Sequence, residues 1–407
     1  MPPAPASAAP DSRPDASPRA PGTPYATLWA YLWDLVDDGL DDAVARVRDA
    51  GLNAVSVATA YHTFQQLRPQ RPGRKLLTAD RASLYFEPEA ALYADTALQP
   101  HVAELARRDN PLERLSRACG NAGLDLISWT VCLHNTYLAQ QHPECAQRNA
   151  YGDSLGWHLC PGSPDVRAYV RALARDLVTN YACRRVELES CNFGGYGHAH
   201  HHVKDGVDLG PGGRYLFSLS FSPGCLERAR ALNIDVERLQ AWVRDQLDPA
   251  FAGGDPLADG PAELNDRHPG LAAYQAMRED LVTSLVAEVA GEGGASQTSV
   301  ILMGDRWTAG LRPEALCRAA DLVEILAYTD APAAALQRVD EIAAQLRGPQ
   351  QLVLGLQAYP PCARRAETLV DHVRAARSRG VREFSFYNYG IMPRPNLAWI
   401  GQSLDSG

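Results

Sequence analysis

The sequence predicts an α/β protein with a (β/α)8 (TIM) barrel fold in a single domain. Short segments rich in Val, Ile and Leu alternate with amphipathic helical segments, and this unit occurs eight times in 407 residues. The connections from helix to strand are short, as expected where helices cover parallel strands. A doubly wound sheet would carry a glycine-rich phosphate loop after its first strand, but the chain reads LWAYLWDLVDDG there.

Apolar segments bounded by polar turns predict eight strands: Ala26–Trp33, Asn53–Ala60, Asp125–Leu133, Arg185–Glu189, Ser299–Gly304, Leu322–Tyr328, Gln351–Gln357 and Glu383–Tyr387. Helical periodicity predicts helices over 40–50, 111–122, 164–180, 225–246 with 268–291, 312–320, 331–347, 365–379 and 396–403. Four glycines stand where a left-handed C-cap would end a helix: Gly51, Gly123, Gly348 and Gly380.

Composition restricts the class of protein and its partners. Hydrophobic residues make up 46% of the chain and charged residues 21%, which is typical of a globular protein. The 39 basic and 48 acidic residues give a net charge of −9, the wrong sign for tracking nucleic acid phosphates. No apolar segment approaches the roughly 20 residues of a membrane span. Nine cysteines without a CxxC pair indicate reduced thiols and a cytoplasmic location.

The chain divides into a tail and one domain. Residues 1–24 consist mainly of Pro, Ala and Ser and lack the apolar core of a secretory signal, which predicts a disordered tail. The barrel is predicted over 25–404. Three connections are longer than turns, namely 62–110, 190–225 and 247–267. The first two follow strand ends, so we expect them on the C-terminal face where barrel active sites are built.

The fourth predicted strand, Arg185–Glu189, carries two glutamates with the same parity. Because side chains alternate along a strand, Glu187 and Glu189 both point into the barrel. Buried carboxylates are costly unless they are paired or functional. Glu189 lies at the rim and is predicted to be catalytic. Glu187 lies two residues deeper and is predicted to be structural, in a salt bridge with an arginine; the alternative is that both glutamates belong to such a network.

A histidine-rich segment, CNFGGYGHAHHHVK, follows this strand directly. One interpretation makes His198, His200 or His202 ligands of zinc or manganese together with Glu189. The other makes these histidines hydrogen-bond donors to the hydroxyl groups of a polar ligand. The segment lacks an HExxH spacing, so we favour the second interpretation, with no metal and no cofactor.

Other strand ends carry aromatic rings, amides and histidines. Flat apolar faces and bidentate polar groups are what a sugar site requires, so these residues predict a small-molecule or oligosaccharide substrate. The predicted binding residues are Tyr61, His62, His134, Asn135, His198, His200, His202, Arg306, Tyr328, Gln357, Tyr387 and Asn388.

Asp305 is the predicted second carboxylate of the site. It follows the fifth strand, which neighbours the fourth, so its carboxyl is expected near that of Glu189. The adjacent Arg306 offers the alternative that Asp305 is held in an ion pair. Glu324 points inward from the sixth strand, but it lies deep and is predicted to be structural.

The chain resembles a family of bacterial glycosyl hydrolase-like barrels, the family-10-like glycosylhydrolases, and more remotely α-amylase and α-galactosidase-type barrels. The resemblance rests on the segment 157–169, the strand ending at Glu189, the GYGHAHHH segment, FSFYNYG near the C-terminus and the opening LWAYLWDLVDDG. It implies a glycosidase-like pocket with an acid at Glu189. The retaining β-glycosidase clan places Asn-Glu on the fourth strand and Glu on the seventh, whereas this chain has Glu189-Ser190 and Gln357. That clan's catalytic pair is therefore not carried over.

These observations lead to three hypotheses. The first is a cytoplasmic glycoside hydrolase in which Glu189 is the nucleophile or base and Asp305 the acid. The second is a metal-dependent hydrolase or isomerase that uses the His198–His202 segment. The third is a carbohydrate-binding barrel without catalytic activity.

Overall fold

The computed structural model describes residues 24–197, 204–294 and 296–406. Eight parallel strands close into a barrel, because the first strand pairs with both the second and the last. The strands are β1 (Tyr25–Tyr31), β2 (Ala54–Tyr61), β3 (Asp125–Val131), β4 (Arg185–Glu189), β5 (Gln297–Ile301), β6 (Leu322–Leu326), β7 (Leu352–Gln357) and β8 (Glu383–Tyr387). This confirms the predicted (β/α)8 barrel. The predicted tail, residues 1–24, lies outside the described residues apart from Pro24.

Helices surround the barrel and fill the loops, and none of those described is long and apolar enough to cross a membrane. They are Leu32–Asp38, Leu40–Asp49, Glu104–Arg107, Pro111–Ala122, Thr136–Gln141, Pro164–Tyr181, Gly210–Phe217, Pro223–Ala231, Val236–Phe251, Pro261–Arg267, Pro269–Glu292, Arg306–Ala309, Pro313–Ala319, Pro332–Ala343, Ala366–Ser378 and Leu397–Asp405. Short 3-10 turns cover Ala90–Tyr93, Pro349–Gln351 and Arg394–Asn396. All nine cysteines are free and buried.

Several strands end earlier than predicted. β1 stops at Tyr31, and Trp33 lies in the following helix. The residues after the strands remain buried at the barrel mouth, as Leu32, Trp33 and Leu133 do, so hydrophobicity does not mark where the hydrogen-bonded ladder stops.

Three of the four predicted C-cap glycines have positive φ angles: Gly51 (79°), Gly123 (71°) and Gly380 (88°). The prediction for Gly348 was wrong. Its φ is 167°, which is extended backbone, and the preceding helix already ends at Ala343. The reason lies in the next residue, Pro349, because the proline ring disfavours helical backbone in the residue before it.

The barrel interior is layered. At the bottom, the Arg185 guanidinium lies 2.7 Å from the Glu383 carboxylate, and the Tyr25 hydroxyl donates to Asp125 at 2.9 Å. The middle layer is polar and contains Glu187. The top layer is aromatic and surrounds Glu189. The aromatic rings that surround Glu189 lie at the mouth, on the C-terminal face where barrel active sites are built.

The predicted long connections contain structure of their own. The first includes a hairpin of Phe64–Leu67 and Leu76–Ala79, which stands beside the mouth because Phe64 stacks on Trp33 at 4.7 Å. A buried ion pair between Arg68 and Asp34, with an oxygen–nitrogen distance of 2.5 Å, fastens this hairpin to the helix after β1. Further pairs of short strands are Ala146–Arg148 with Ser154–Leu159, and Ser83–Leu84 against β2.

Candidate active site at the barrel mouth

Glu189 ends β4 and points into the top layer, where only 7% of the residue is exposed. The indole Nε1 of Trp129 donates to its Oε2 at 2.5 Å. Burial raises the pKa of Glu189 to about 7; the Trp129 hydrogen bond opposes this rise and the Glu187 carboxylate adds to it. The carboxyl group therefore exchanges its proton near neutral pH, which suits acid–base chemistry.

Glu187 lies one layer below in a different environment. Ser56 Oγ donates to its Oε2 at 2.5 Å, and Ser385 donates to the neighbouring Glu324. Burial raises the pKa of both glutamates, and the Glu187 charge raises that of Glu324 further. The expected salt bridge of Glu187 with an arginine was wrong, because the Arg185 guanidinium pairs with Glu383. The Glu187 and Glu324 carboxyl groups are neighbours in this layer, and such a pair is stabilised when it shares a proton.

Aromatic side chains form the wall around Glu189. Trp129 stacks on Trp29 with ring centroids 4.8 Å apart, and the rings of Tyr61 and Tyr387 meet Trp129 edge-on at 4.9 and 5.9 Å. The Tyr31 hydroxyl contacts those of Tyr61 at 3.1 Å and Tyr387 at 2.7 Å. Burial raises the pKa of all three phenols, so they stay neutral and act as hydrogen-bond donors.

A cavity of about 250 Å³ opens between the ends of β3, β4 and β5. Its lining is His134, Trp157, His158, Ser190, Asn192, Phe193, Gly194, Gly195, Met303, Gly304, Asp305, Thr308 and Ala309. The glycines make room for neighbours: a Cβ on Gly194 would meet the His158 ring at 2.7 Å. The cavity is smaller than the roughly 300 Å³ of the smallest drug-sized sites, so it suits part of a ligand.

Some predicted binding residues come together at this mouth. Tyr61 and Tyr387 contact the Trp129 ring, and the Tyr328 ring lies 5.9 Å from that of Tyr387. His62 and His134 stack on each other at 4.5 Å. The row of imidazoles continues to His158, whose ring lies 6.2 Å from that of His134. Aromatic faces and imidazole donors thus meet within one rim.

Other predicted binding residues make local contacts instead. Asn135 caps the helix Thr136–Gln141 by accepting from the Leu138 amide at 2.9 Å. Asn388 is fully buried, and its Oδ1 accepts from the Gly390 amide at 3.0 Å. Gln357 ends β7 partly exposed and accepts a hydrogen bond from Cys362 Sγ at 2.9 Å. Each of these hydrogen bonds holds a local turn or helix end, which gives the side chain a structural role at its strand end.

Asp305 lines the cavity and is exposed. Its Oδ1 accepts from the backbone amides of Trp307 at 2.7 Å and Thr308 at 2.8 Å, so it caps the short helix Arg306–Ala309. The alternative of an ion pair with Arg306 was wrong, because that guanidinium lies 2.6 Å from Glu279. An Asp side chain is well suited to accept from the free amides at a helix N-terminus, which accounts for Asp305 at this position.

His198, His200 and His202 lie outside the described residues. Within 24–197, 204–294 and 296–406, no group of three or more His, Cys, Asp or Glu side chains is placed to hold a metal ion. The role of the histidine segment stays a prediction.

Trp129, Trp157 and His158 belong to the site but were not predicted for it from the residues. Alternation along β3 predicts that Trp129 points into the barrel, because it pairs with the inward-facing Glu187 on β4. Alternation does not tell which residue the indole will contact. Trp157 and His158 lie on the hairpin after β3, where they had been noted for the resemblance alone.

No family model and no curated protein matches the chain. Several solved structures are similar to the chain in fold. The β-galactosidase from the psychrophilic Marinomonas ef1 is similar with a TM-score of 0.57 at 12% identity, covering 93% of this chain and 59% of that one. The β-galactosidase from Bacillus circulans sp. alkalophilus gives 0.55 at 13% identity, covering 94% and 56%. The α-L-fucosidase isoenzyme 2 from Paenibacillus thiaminolyticus gives 0.50 at 13% identity, covering 94% and 49%.

The chain therefore spans 49% to 59% of the length of these enzymes. Identities this low show the fold alone. The comparisons therefore show the (β/α)8 barrel, and the glycosyl hydrolase resemblance with its family-10-like assignment stays a prediction.

Proposed function

We propose that the protein is a glycoside hydrolase in which Glu189 is the general acid. The observation that carries this proposal is the buried Glu189 carboxyl at the C-terminal end of β4, whose pKa is raised to about 7 among aromatic rings. A glycosidase must keep one carboxylic acid protonated near its working pH so that it can protonate the departing oxygen.

This proposal reverses the roles expected from the sequence. Burial favours the protonated form of Glu189, so it is better suited to donate a proton than to attack as a nucleophile. Asp305 then becomes the candidate for the charged partner that activates water or stabilises the developing cation. Its exposure and its position on the cavity wall support this assignment.

A carbohydrate substrate is supported by the chemistry of the mouth. Sugars present apolar ring faces that stack on aromatic side chains, together with hydroxyls that need donors and acceptors. Tyr387 and Tyr328 supply rings beside Glu189, and His134 stands at the cavity. The finer choice of sugar and linkage is left to the experiment.

The second candidate function is a carbohydrate-binding barrel without turnover. Two observations favour it: β7 ends in Gln357, and Asp305 already uses an oxygen to cap a helix. A barrel that binds sugars would keep the aromatic mouth and need no second carboxylate.

The test compares glycosides that differ in their leaving groups. Dinitrophenyl glycosides depart with little protonation, whereas methyl glycosides need an acid. We expect Glu189→Gln to lower kcat/KM on methyl glycosides by about 10²–10⁴-fold and on dinitrophenyl glycosides far less. Equal losses on both would make Glu189 the nucleophile and overturn the acid role.

Three further measurements complete this test. Asp305→Asn should lower turnover on both leaving groups alike, as expected for the partner carboxylate. If the wild-type protein binds sugars but hydrolyses none across a broad panel, the binding function replaces the proposed one. Elemental analysis of the purified protein tests the metal-dependent hypothesis, because stoichiometric zinc or manganese would support it.

A further inference from the structure

We propose that Trp129 is a positioning residue that fixes the Glu189 carboxyl and holds its proton affinity down. This inference deepens the proposed function and rests on it for its catalytic meaning. The contact itself is a hydrogen bond of 2.5 Å from the indole Nε1 to Oε2 of Glu189. Among the described residues, no other group donates a hydrogen bond to this carboxyl.

The indole is rigidly held. Trp129 is 1% exposed, and its ring is stacked on Trp29 and met edge-on by Tyr61. In the β3–β4 register, Trp129 stands opposite Glu187 and Val131 opposite Glu189. The indole therefore reaches one layer up to its acceptor. A donor fixed by packing on several sides holds Oε2 in one place and leaves Oε1 for a ligand.

The charge of Glu189 is otherwise opposed by its surroundings. Burial favours the neutral form, and no described cation pairs with the carboxyl. The titratable groups that face it come from four other elements as well as its own: Glu187 on β4, Tyr61 on β2, Cys132 after β3, Tyr328 after β6 and Tyr387 on β8. All of these are acids, so any charge on them disfavours the carboxylate. The indole N–H is thus the local group that stabilises the charged form.

The experiment follows the ionisation of Glu189 without using activity. Protein labelled with ¹³Cδ-glutamate is titrated by NMR, and the Glu189 signal is assigned by its loss in Glu189→Gln. We expect Trp129→Phe to raise the midpoint by about one pH unit, because it removes a charge-assisted hydrogen bond. Trp29→Phe is the matched control: it also shortens a buried indole of the same stack, yet Trp29 donates nothing to Glu189. Its midpoint should stay within about 0.3 pH unit of the wild type.

An equal midpoint in Trp129→Phe and Trp29→Phe would overturn the inference. If Trp129→Phe does not fold, the wild-type chain still tests it. With 5-fluorotryptophan incorporated, the ¹⁹F signal of Trp129 should shift with the same midpoint as the Glu189 titration. This signal is assigned by its absence in Trp129→Tyr, under any condition where that variant folds, or by its loss of titration in Glu189→Gln. A tryptophan spectrum with no signal that follows this midpoint contradicts the contact.

Failure of this inference and failure of the proposed function are distinguishable. The titration is measured on protein without substrate, so it stands even if the protein hydrolyses nothing. If the protein is active, the pH profile adds a second readout. The alkaline limb of kcat/KM should shift to higher pH in Trp129→Phe, by the same amount as the NMR midpoint.

Discussion

Glu187 and Glu189 lie on the same strand, face the same barrel interior and are separated by one residue, yet their surroundings differ. Glu187 is fully buried between the Ser56 hydroxyl and the carboxyl group of Glu324. Glu189 retains 7% exposure, has one indole donor and borders aromatic rings. The first environment encloses the carboxyl group completely, with Oε2 hydrogen-bonded to Ser56 and Oε1 without a hydrogen-bond partner among the described residues. The second leaves the Glu189 carboxyl with a pKa of about 7 and an open side, as the proposed acid role requires.

The largest expected effect separates the two glutamates by activity. Glu189→Gln should lower kcat on a methyl glycoside by about 10³-fold, because the amide keeps the shape and cannot supply a proton. Glu187→Gln should lower it by less than about tenfold, because its carboxyl is fully buried beneath the mouth. Steady-state kinetics on both folded variants checks this. If Glu187→Gln loses as much as Glu189→Gln, the division between the two layers is wrong.

Much of this comparison could be predicted from the sequence. Alternation along Arg185–Glu189 places both glutamates inside, and the end of the strand places Glu189 at the mouth. These inferences need only local periodicity. The partner of Glu187 could not be found this way, since Glu324 stands 137 residues later and on a strand that is not its neighbour. Which inward residues meet across a barrel depends on strand tilt and stagger.

The next effect is on stability, and it depends on pH. Folding raises the pKa of Glu189 from 4.5 to about 7, so the folded protein holds this proton more tightly than the unfolded chain. Stability contributed by the proton is present below pH 4.5 and is lost as the pH rises through about 7. Glu189→Gln removes this loss. The variant should be more stable than the wild type by about 3 kcal/mol at pH 8 and nearly equal to it at pH 4.5.

Urea unfolding at the two pH values measures this difference. The carboxyl-to-amide change keeps an acceptor for the Trp129 indole, so packing should not obscure the result. A variant that is less stable than the wild type at pH 8 would indicate that the carboxylate is held by a favourable ion pair. That outcome would place Glu189 with the structural acids of the barrel.

A third experiment examines the middle layer. Glu324 is buried and its pKa is raised well above the usual range by burial and by the Glu187 charge. Glu324→Gln should therefore leave the free energy of unfolding nearly unchanged at neutral pH, because an amide replaces a neutral acid. Glu324→Ala should lower it by about 2 kcal/mol, since it opens a cavity and leaves the Ser385 hydroxyl without its acceptor. Equal stabilities of the two variants would contradict the paired arrangement.

The site was less predictable than the fold for a physical reason. Amides at strand ends suit sugar hydroxyls and helix caps equally well, and Asn135 turned out to cap a helix. The same holds for Asp305, whose Oδ1 accepts two backbone amides. A residue type states which hydrogen bonds a side chain can make, while the backbone around it decides which of them are already used. The structure places the rings of Tyr61 and Tyr387 at the mouth, where their strand-end positions predicted them, and their role in binding stays a prediction.

The smallest effect tests whether the two layers influence each other. Glu187 lies beneath Glu189, and its charge contributes to the raised pKa of that carboxyl. Because burial raises the pKa of Glu187 and so favours its neutral form, the charge that reaches Glu189 is only partial. Glu187→Gln should therefore lower the Glu189 midpoint by only about 0.3 pH unit.

The ¹³C titration of the Glu189 signal measures this shift, with Glu324→Gln as the companion variant. The Glu324 hydrogen bond lowers the pKa of Glu187, so removing this acid favours neutral Glu187 and should also lower the Glu189 midpoint slightly. A shift of a full unit in Glu187→Gln would mean that Glu187 is charged and that the two layers act as one site.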